Sequence, residues 1–145
     1  IDDDLFVAAS DNLFTFPLSD FAADFRRHGR DLLLGTRIDD VDTLRRYAVA
    51  TLDGENRVLS LVEKPQEPQS HIGICAIYLY RRDTAPLFSA MIAESRAAGK
   101  RPDAPGYFAE WLCKRKEVRV YLASGECVDI GTVESYREVC ARWTN

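Results

Sequence analysis

Short apolar runs alternate with stretches of helical periodicity along the chain, and each transition predicts an element. The continuous run Leu5-Phe6-Val7-Ala8-Ala9 has the pattern of a strand covered on both faces, and it stops at Ser10-Asp11-Asn12. After Pro17, Ser19 is the expected N-cap of a helix with Leu18, Phe21, Ala22 and Phe25 on one side, closed by Arg26, Arg27, His28 and Gly29. Asp31 to Arg37 reads as the next buried strand, and the polar stretch Asp39 to Arg46 as a short helix or loop. Tyr47 to Leu52 and Arg57 to Val62 flank Asp53-Gly54-Glu55-Asn56, whose composition is that of a hairpin turn. Beyond a loop carrying Pro65 and Pro68, Ile72 to Tyr80 predicts a strand and Thr84 to Ala98 a helix. A further helix with Phe108, Trp111 and Leu112 follows Pro105. Val118 to Ala123 and Cys127 to Ile130 bracket the turn Ser124-Gly125-Glu126, and Thr132 caps a last helix reaching Trp143.

This rhythm describes one mixed α/β layer structure, and 145 residues suffice for one domain that buries roughly two-thirds of its unfolded surface. The composition, 46% hydrophobic and 29% charged, excludes disordered, collagenous and disulfide-scaffold classes. With a net charge of -4 and no cluster of Lys and Arg, nucleic acid is not an expected partner, so any phosphate chemistry is local. Cys75, Cys113, Cys127 and Cys140 form no C-x-x-C pair and read as free thiols of a reducing compartment. No apolar run approaches the ~20 residues of a membrane helix, and Ile1-Asp2-Asp3-Asp4 lacks the regions of a signal peptide, so neither a membrane nor secretion is expected. The cytoplasm is the default.

Three segments set charged residues just beyond predicted strands, where open α/β sheets bind ligands: Ser10-Asp11-Asn12, Glu63-Lys64-Pro65 and Val128-Asp129-Ile130-Gly131-Thr132. Two such acids invite a divalent cation, since close carboxylates would otherwise repel each other. Mg2+ suits them, because it commonly takes one or two carboxylates and fills its other positions with water and phosphate oxygens. Lys64 is the point charge for a second phosphate. Each feature also has a plainer reading. Asp11-Asn12 fits an Asx turn, and Glu63-Lys64 fits a solvated pair at a strand end. Gly131-Thr132 fits a turn and cap; Phe21, Phe25, Trp111 and Trp143 fit the core, His28 a helix end, and His71 a surface loop.

At these residues the chain resembles the sugar-phosphate nucleotidylyltransferases, the family that includes glucose-1-phosphate thymidylyltransferase. Ser10-Asp11-Asn12 is similar to the family's Gly-Asp-Asn, and Glu63-Lys64-Pro65 matches its Glu-Lys-Pro. Asp129-Ile130-Gly131-Thr132 through Tyr136 resembles its Asp-Ile-Gly-Thr-x-x-x-Tyr. Order and spacing agree across essentially the whole chain. The resemblance implies a mixed, mostly parallel sheet flanked by helices, a partial Rossmann-like fold of the GT-A-like kind. It implies transfer of a nucleoside monophosphate from a nucleoside triphosphate to a sugar 1-phosphate, with release of pyrophosphate. By resemblance Asp11 and Asp129 ligate Mg2+ and act with Lys64 in catalysis. Lys64 also holds the sugar phosphate, while Asn12, Ala48, Glu63 and Cys75 border the sugar.

Two departures qualify that expectation. Nothing here matches the family's glycine-rich loop, whose backbone N-H groups crowd the triphosphate, so residues 1-145 read as the C-terminal part of such a domain, inactive alone. Surface that the upstream part would cover leaves homo-oligomerisation open. In addition, Ser10, Ala48, Cys75-Ala76 and Cys127 stand where the family usually has Gly, Gly, Thr-Gly and an aromatic, which alters the sugar pocket. A non-catalytic relative that binds sugar nucleotide and regulates or scaffolds a partner is the alternative. A glycosyltransferase of shared fold is weaker, since Asp2-Asp3-Asp4 and Asp39-Asp40-Val41-Asp42 follow no convincing strand.

Overall fold

The computed structural model describes residues 2-143. Its elements are β1 (Leu5–Ala8), β2 (Asn12–Phe14), α1 (Leu18–His28), β3 (Asp31–Arg37), α2 (Val41–Leu44), β4 (Ala48–Leu52) and β5 (Val58–Glu63). They continue with β6 (Ile72–Tyr80), α3 (Leu87–Ala97), α4 (Pro105–Cys113), β7 (Val118–Leu122), β8 (Cys127–Asp129) and α5 (Val133–Trp143). The main sheet runs β5-β4-β6-β3-β7, with β1 also paired to β6, and β2 and β8 form a separate two-stranded ribbon.

The mixed α/β architecture matches the sequence expectation, but the balance of strand directions does not. Among the described residues, only β3 and β7 pair in parallel; every other ladder is antiparallel. The reason lies in β6. Helix α1 carries the chain from β1 across to β3 as a crossover, yet β6 inserts between these two strands and runs against both. An apolar run buried on both faces has no polarity that would reveal this.

The alternation of β6 divides the core. Ile74, Ala76, Tyr78 and Tyr80 face the cluster beneath α3 and α4, with Leu33, Phe108 and Leu112. Cys75, Ile77 and Leu79 face the opposite cluster with Phe21, Phe25, Leu32 and Leu34. Period-two alternation therefore assigns each β6 side chain to one layer. Several local expectations change. Leu18 already belongs to α1 and Pro17 precedes it, so Ser19 is no cap, whereas Gly29 closes the helix in the left-handed conformation with its N-H on Phe25 O at 2.9 Å. Trp143 is half exposed rather than core. Strands β7 and β8 are not a hairpin: β8 leaves the sheet to pair with β2, which was read only as a loop after β1.

Candidate active site

Strands β1 and β4 share one edge of β6, β1 pairing with Ile77 to Tyr80 and β4 with Ile72 to Ile74. Between them Ala9 N-H donates to Ala76 O at 2.9 Å. A cleft of about 240 Å³ opens over that gap. Asp11, Asn12, Ala48, Glu63, Lys64 and Asp129 line it, so six of the seven residues expected at the site converge there.

The acids are brought together by the ribbon. Asn12 is opposite Asp129 in the β2–β8 register, and Ile130 N-H donates to the backbone carbonyl of Asp11 at 2.8 Å. Gly131 completes the arrangement. A Cβ on Gly131 would lie 2.9 Å from Asp11 Oδ2 and 2.9 Å from Asp129 Oδ1, so the two carboxylates flank a space that only a glycine leaves open. Gly131 N-H donates to Asp129 Oδ1 at 2.6 Å, and Asn12 Nδ2 donates to Asp11 Oδ1 at 3.3 Å, which orients both acids. Both remain exposed to solvent. The following Thr132 accepts from Ser135 N-H at 3.0 Å, the expected cap of α5.

The opposite wall descends from β5. Lys64 follows the strand in the left-handed region, φ 46°, with its N-H on Tyr47 O at 3.1 Å. A non-glycine residue there is strained. Among the described residues Lys64 has no ion-pair partner closer than the limit of a direct salt bridge. Glu63 is half buried, its N-H on Glu110 Oε2 at 3.2 Å. Its carboxylate lies directly against the first turn of α4, so close that a Cβ on Gly106 would overlap Oε2 at 1.7 Å. Burial pushes the Glu63 carboxyl above the usual glutamate range, Lys64 pulls it back, and Glu110 and Asp103 push it up further.

Cys75 is the exception. It is fully buried in the core cluster against α1, with its neighbours Ile74 and Ala76 facing the cleft instead. Strand alternation turns it away from the position the resemblance implied. Three contributors went unassigned in the sequence: Arg46, Tyr47 and Tyr78 also line the cleft. Tyr47 donates its hydroxyl to Cys127 O at 3.4 Å, and desolvation, followed by Cys127, pushes that hydroxyl up to about 12. Tyr78 is 2% exposed and its hydroxyl bonds to no described residue, yet no buried side-chain polar atom among the described residues lacks a partner. The hydroxyl is therefore the part of Tyr78 that reaches the cleft. Burial, and then Glu63, raise its pKa, so it stays protonated. The spacing of Tyr78 from Ile74 and Ala76 in period two was the signal available for it.

The acidic tracts play other parts. Asp4 holds Arg81 at 2.8 Å, Asp40 caps α2 through Thr43 N-H at 2.7 Å, and Asp39 and Asp42 pair with Arg37 and Arg45. None borders the cleft.

The cleft at the strand ends brings Asp11, Asp129, Glu63 and Lys64 together, and comparison with known families says which proteins the chain is similar to. The nucleotidyl transferase family model matches residues 1-145, so the chain belongs to that family. A glucose-1-phosphate adenylyltransferase of Thermomicrobium roseum is 26% identical over 142 residues, covering 93% of this chain and 31% of the relative. A glucose-1-phosphate thymidylyltransferase of Streptomyces griseus is 29% identical over 140 residues, covering 95% of this chain and 38% of the relative. In fold, a crystal structure of UDP-glucose pyrophosphorylase complexed with UDP-glucose matches with a TM-score of 0.79 at 17% identity, over 98% of this chain and 56% of that one. The chain thus spans about a third of the length of these curated relatives. Among the described residues no helix is long and apolar enough to cross a membrane.

Proposed function

We propose that the chain forms the sugar-phosphate side of a nucleotidylyltransferase active site, within a longer polypeptide that transfers a nucleoside monophosphate from a nucleoside triphosphate to a sugar 1-phosphate. The observation that carries this reading is the convergence of Asp11 and Asp129 on the space above Gly131, in the same cleft as Glu63 and Lys64. The donor set fits Mg2+. It consists of two carboxylates, with no cluster of three or more His, Cys, Asp or Glu among the described residues, and Mg2+ takes one or two carboxylates while keeping positions for water and phosphate. Asp11 and Asp129 would hold the ion, which when bound supplies neutralisation of charge on phosphate oxygens.

The chain's own groups then have distinct tasks. Lys64 binds the phosphate of the sugar 1-phosphate as a point charge. Glu63 accepts hydrogen bonds from sugar hydroxyls, and the protonated Tyr78 hydroxyl beside it orients the ring. So held, a sugar-phosphate oxygen attacks the α-phosphorus in line and pyrophosphate leaves. Positioning and charge stabilisation suffice, and no covalent nucleophile is required. Pyrophosphate release by the full-length parent tests the reading. Asp129→Asn should raise the barrier by several kcal/mol, on the order of what metal charge stabilisation supplies, and unchanged turnover would contradict it.

One observation favours a second reading, a relative that binds sugar nucleotide without turnover. The cleft, lined in part by Ala48 and Ala76, holds about 240 Å³, which is small beside the ~300–1,000 Å³ of ordinary ligand sites. Sugar-nucleotide binding by the full-length parent with no magnesium-dependent product would select it.

A further inference from the structure

A second groove, of about 470 Å³, is lined by α3 and α4 and falls within the ~300–1,000 Å³ of ordinary ligand sites. Tyr107, Glu110, Trp111 and Lys114 line it at the three- and four-residue spacing that puts them on one side of α4. Trp111 is held in place there. Its Nε1-H donates to Glu94 Oε2 at 2.8 Å, and Arg115, whose Nη2 donates to the same oxygen at 2.9 Å, sets Cζ over the indole at 4.0 Å from the centroid. Arg115 lines the groove and its side chain stays 43% exposed, so its planar guanidinium can take a second planar group. Lys100 and Arg101 line the groove as well, exposed and with no ion pair or side-chain hydrogen bond among the described residues. The acid of the groove, Glu110, is engaged at both oxygens: Lys114 Nζ donates to Oε1 at 2.8 Å, and Glu63 N-H donates to Oε2 at 3.2 Å. Through Glu110 the groove is therefore joined to a residue of the cleft.

We propose that this groove is a second binding site, for a small phosphomonoester with a planar apolar body, and that Glu110 couples it to the cleft. The charge fits, because a phosphomonoester carries about −1.5 to −2 at pH 7, and Lys100 and Arg101 offer two positive charges without partners. The chain as a whole carries -4, so this concentration of cations is a local feature. The body fits too: Met91 and Tyr107 supply apolar surface, and the guanidinium on Trp111 supplies a stacking face. A phosphate in the groove draws Lys114 away from Glu110. The Glu110 charge is then uncompensated beside the Glu63 N-H, and a second anion in the cleft is held less tightly. That coupling rests on reading the cleft as a sugar-phosphate site; occupation of the groove does not.

The test is calorimetric titration of the folded protein with phenyl phosphate in the absence of magnesium. Wild type should give a saturable isotherm, and inorganic phosphate and phenol, each lacking half of the ligand, should bind at least about tenfold more weakly. Lys100→Gln changes an exposed side chain without partners, so its thermal midpoint should match wild type while its affinity for phenyl phosphate falls about tenfold, the scale of one charged hydrogen bond. Lys64→Gln should bind phenyl phosphate as wild type does. Unchanged affinity in Lys100→Gln, or lost affinity in Lys64→Gln, would overturn the groove site, the latter by placing the phosphate in the cleft. These arms stand whether or not the cleft takes a sugar phosphate. With the groove saturated, affinity for glucose 1-phosphate should fall about fivefold in wild type and stay unchanged in Lys114→Gln. No fall in wild type, or an equal fall in Lys114→Gln, as direct competition in the cleft would give, would overturn the coupling through Glu110.

Discussion

Ile130 N-H donates to the carbonyl of Asp11 at 2.8 Å, and this bond ties the end of the β2–β8 ribbon to the turn after β1. It fixes how Asp11 and Asp129 approach each other, and a Cβ on Gly131 would fall between their carboxylates.

Gly131→Ala should therefore separate function from folding. The new Cβ would meet two carboxylate ends at 2.9 Å, and these can rotate away at little cost to the fold. Thermal unfolding should shift by no more than about 1 kcal/mol, whereas magnesium affinity, read by calorimetry, should fall at least about tenfold. An alanine variant that binds magnesium as tightly as the wild type would show that the space above Gly131 is not where the ion sits.

Lys64→Gly makes the converse separation at the other wall. Glycine adopts φ 46° without the strain a side chain incurs, roughly 1–2 kcal/mol, although a freer unfolded chain offsets part of that gain. Urea unfolding should stay within about 1 kcal/mol of wild type while the affinity for a sugar 1-phosphate drops sharply. Retained affinity would remove Lys64 from the phosphate site.

Glu63 should leave a trace in the pH dependence of stability. Burial raises its folded pKa, so the folded protein binds that proton more tightly than the unfolded chain. The resulting stabilisation is complete below the ordinary glutamate range and is lost as pH rises through the raised folded value. Glu63→Gln should flatten this part of the profile of urea midpoint against pH. Identical slopes in the two proteins would mean that the Glu63 carboxyl titrates as a free side chain.

Tyr78→Phe removes a hydroxyl that bonds to no described residue. Its unfolding midpoint should match wild type closely, and its affinity for a sugar 1-phosphate should fall several-fold, on the scale of one neutral hydrogen bond, about 1 kcal/mol. A large loss of stability with unaltered binding would assign that hydroxyl to the interior instead.

Much of the site was legible because its acids and Lys64 sit at strand ends, where an apolar run breaks into charge, and those breaks are visible without any tertiary information. What was hidden depended on direction and pairing. The apolar run of β6 carries no mark of which way it runs, so its insertion between β1 and β3 turned expected parallel neighbours into antiparallel ladders. The three residues of β2 are too few to show periodicity, and their partner β8 lies at the far end of the chain. Cys75 and Tyr78 were exchanged by a single fact, the face of β6 on which even-numbered residues lie. Ser19 failed as a cap because the helix already starts at Leu18, with Pro17 in the cap position. Trp143 has the spacing of a core residue, but it is the last residue of α5 and half of it is exposed.

The joint hold of Asp11 and Asp129 on one divalent ion is tested most directly by magnesium titration calorimetry on four proteins: wild type, Asp11→Asn, Asp129→Asn and the double variant. Each single substitution should abolish the binding isotherm, with no further loss in the double. Wild-type affinity in either single variant, or losses that simply add, would mean that the two carboxylates serve separate sites.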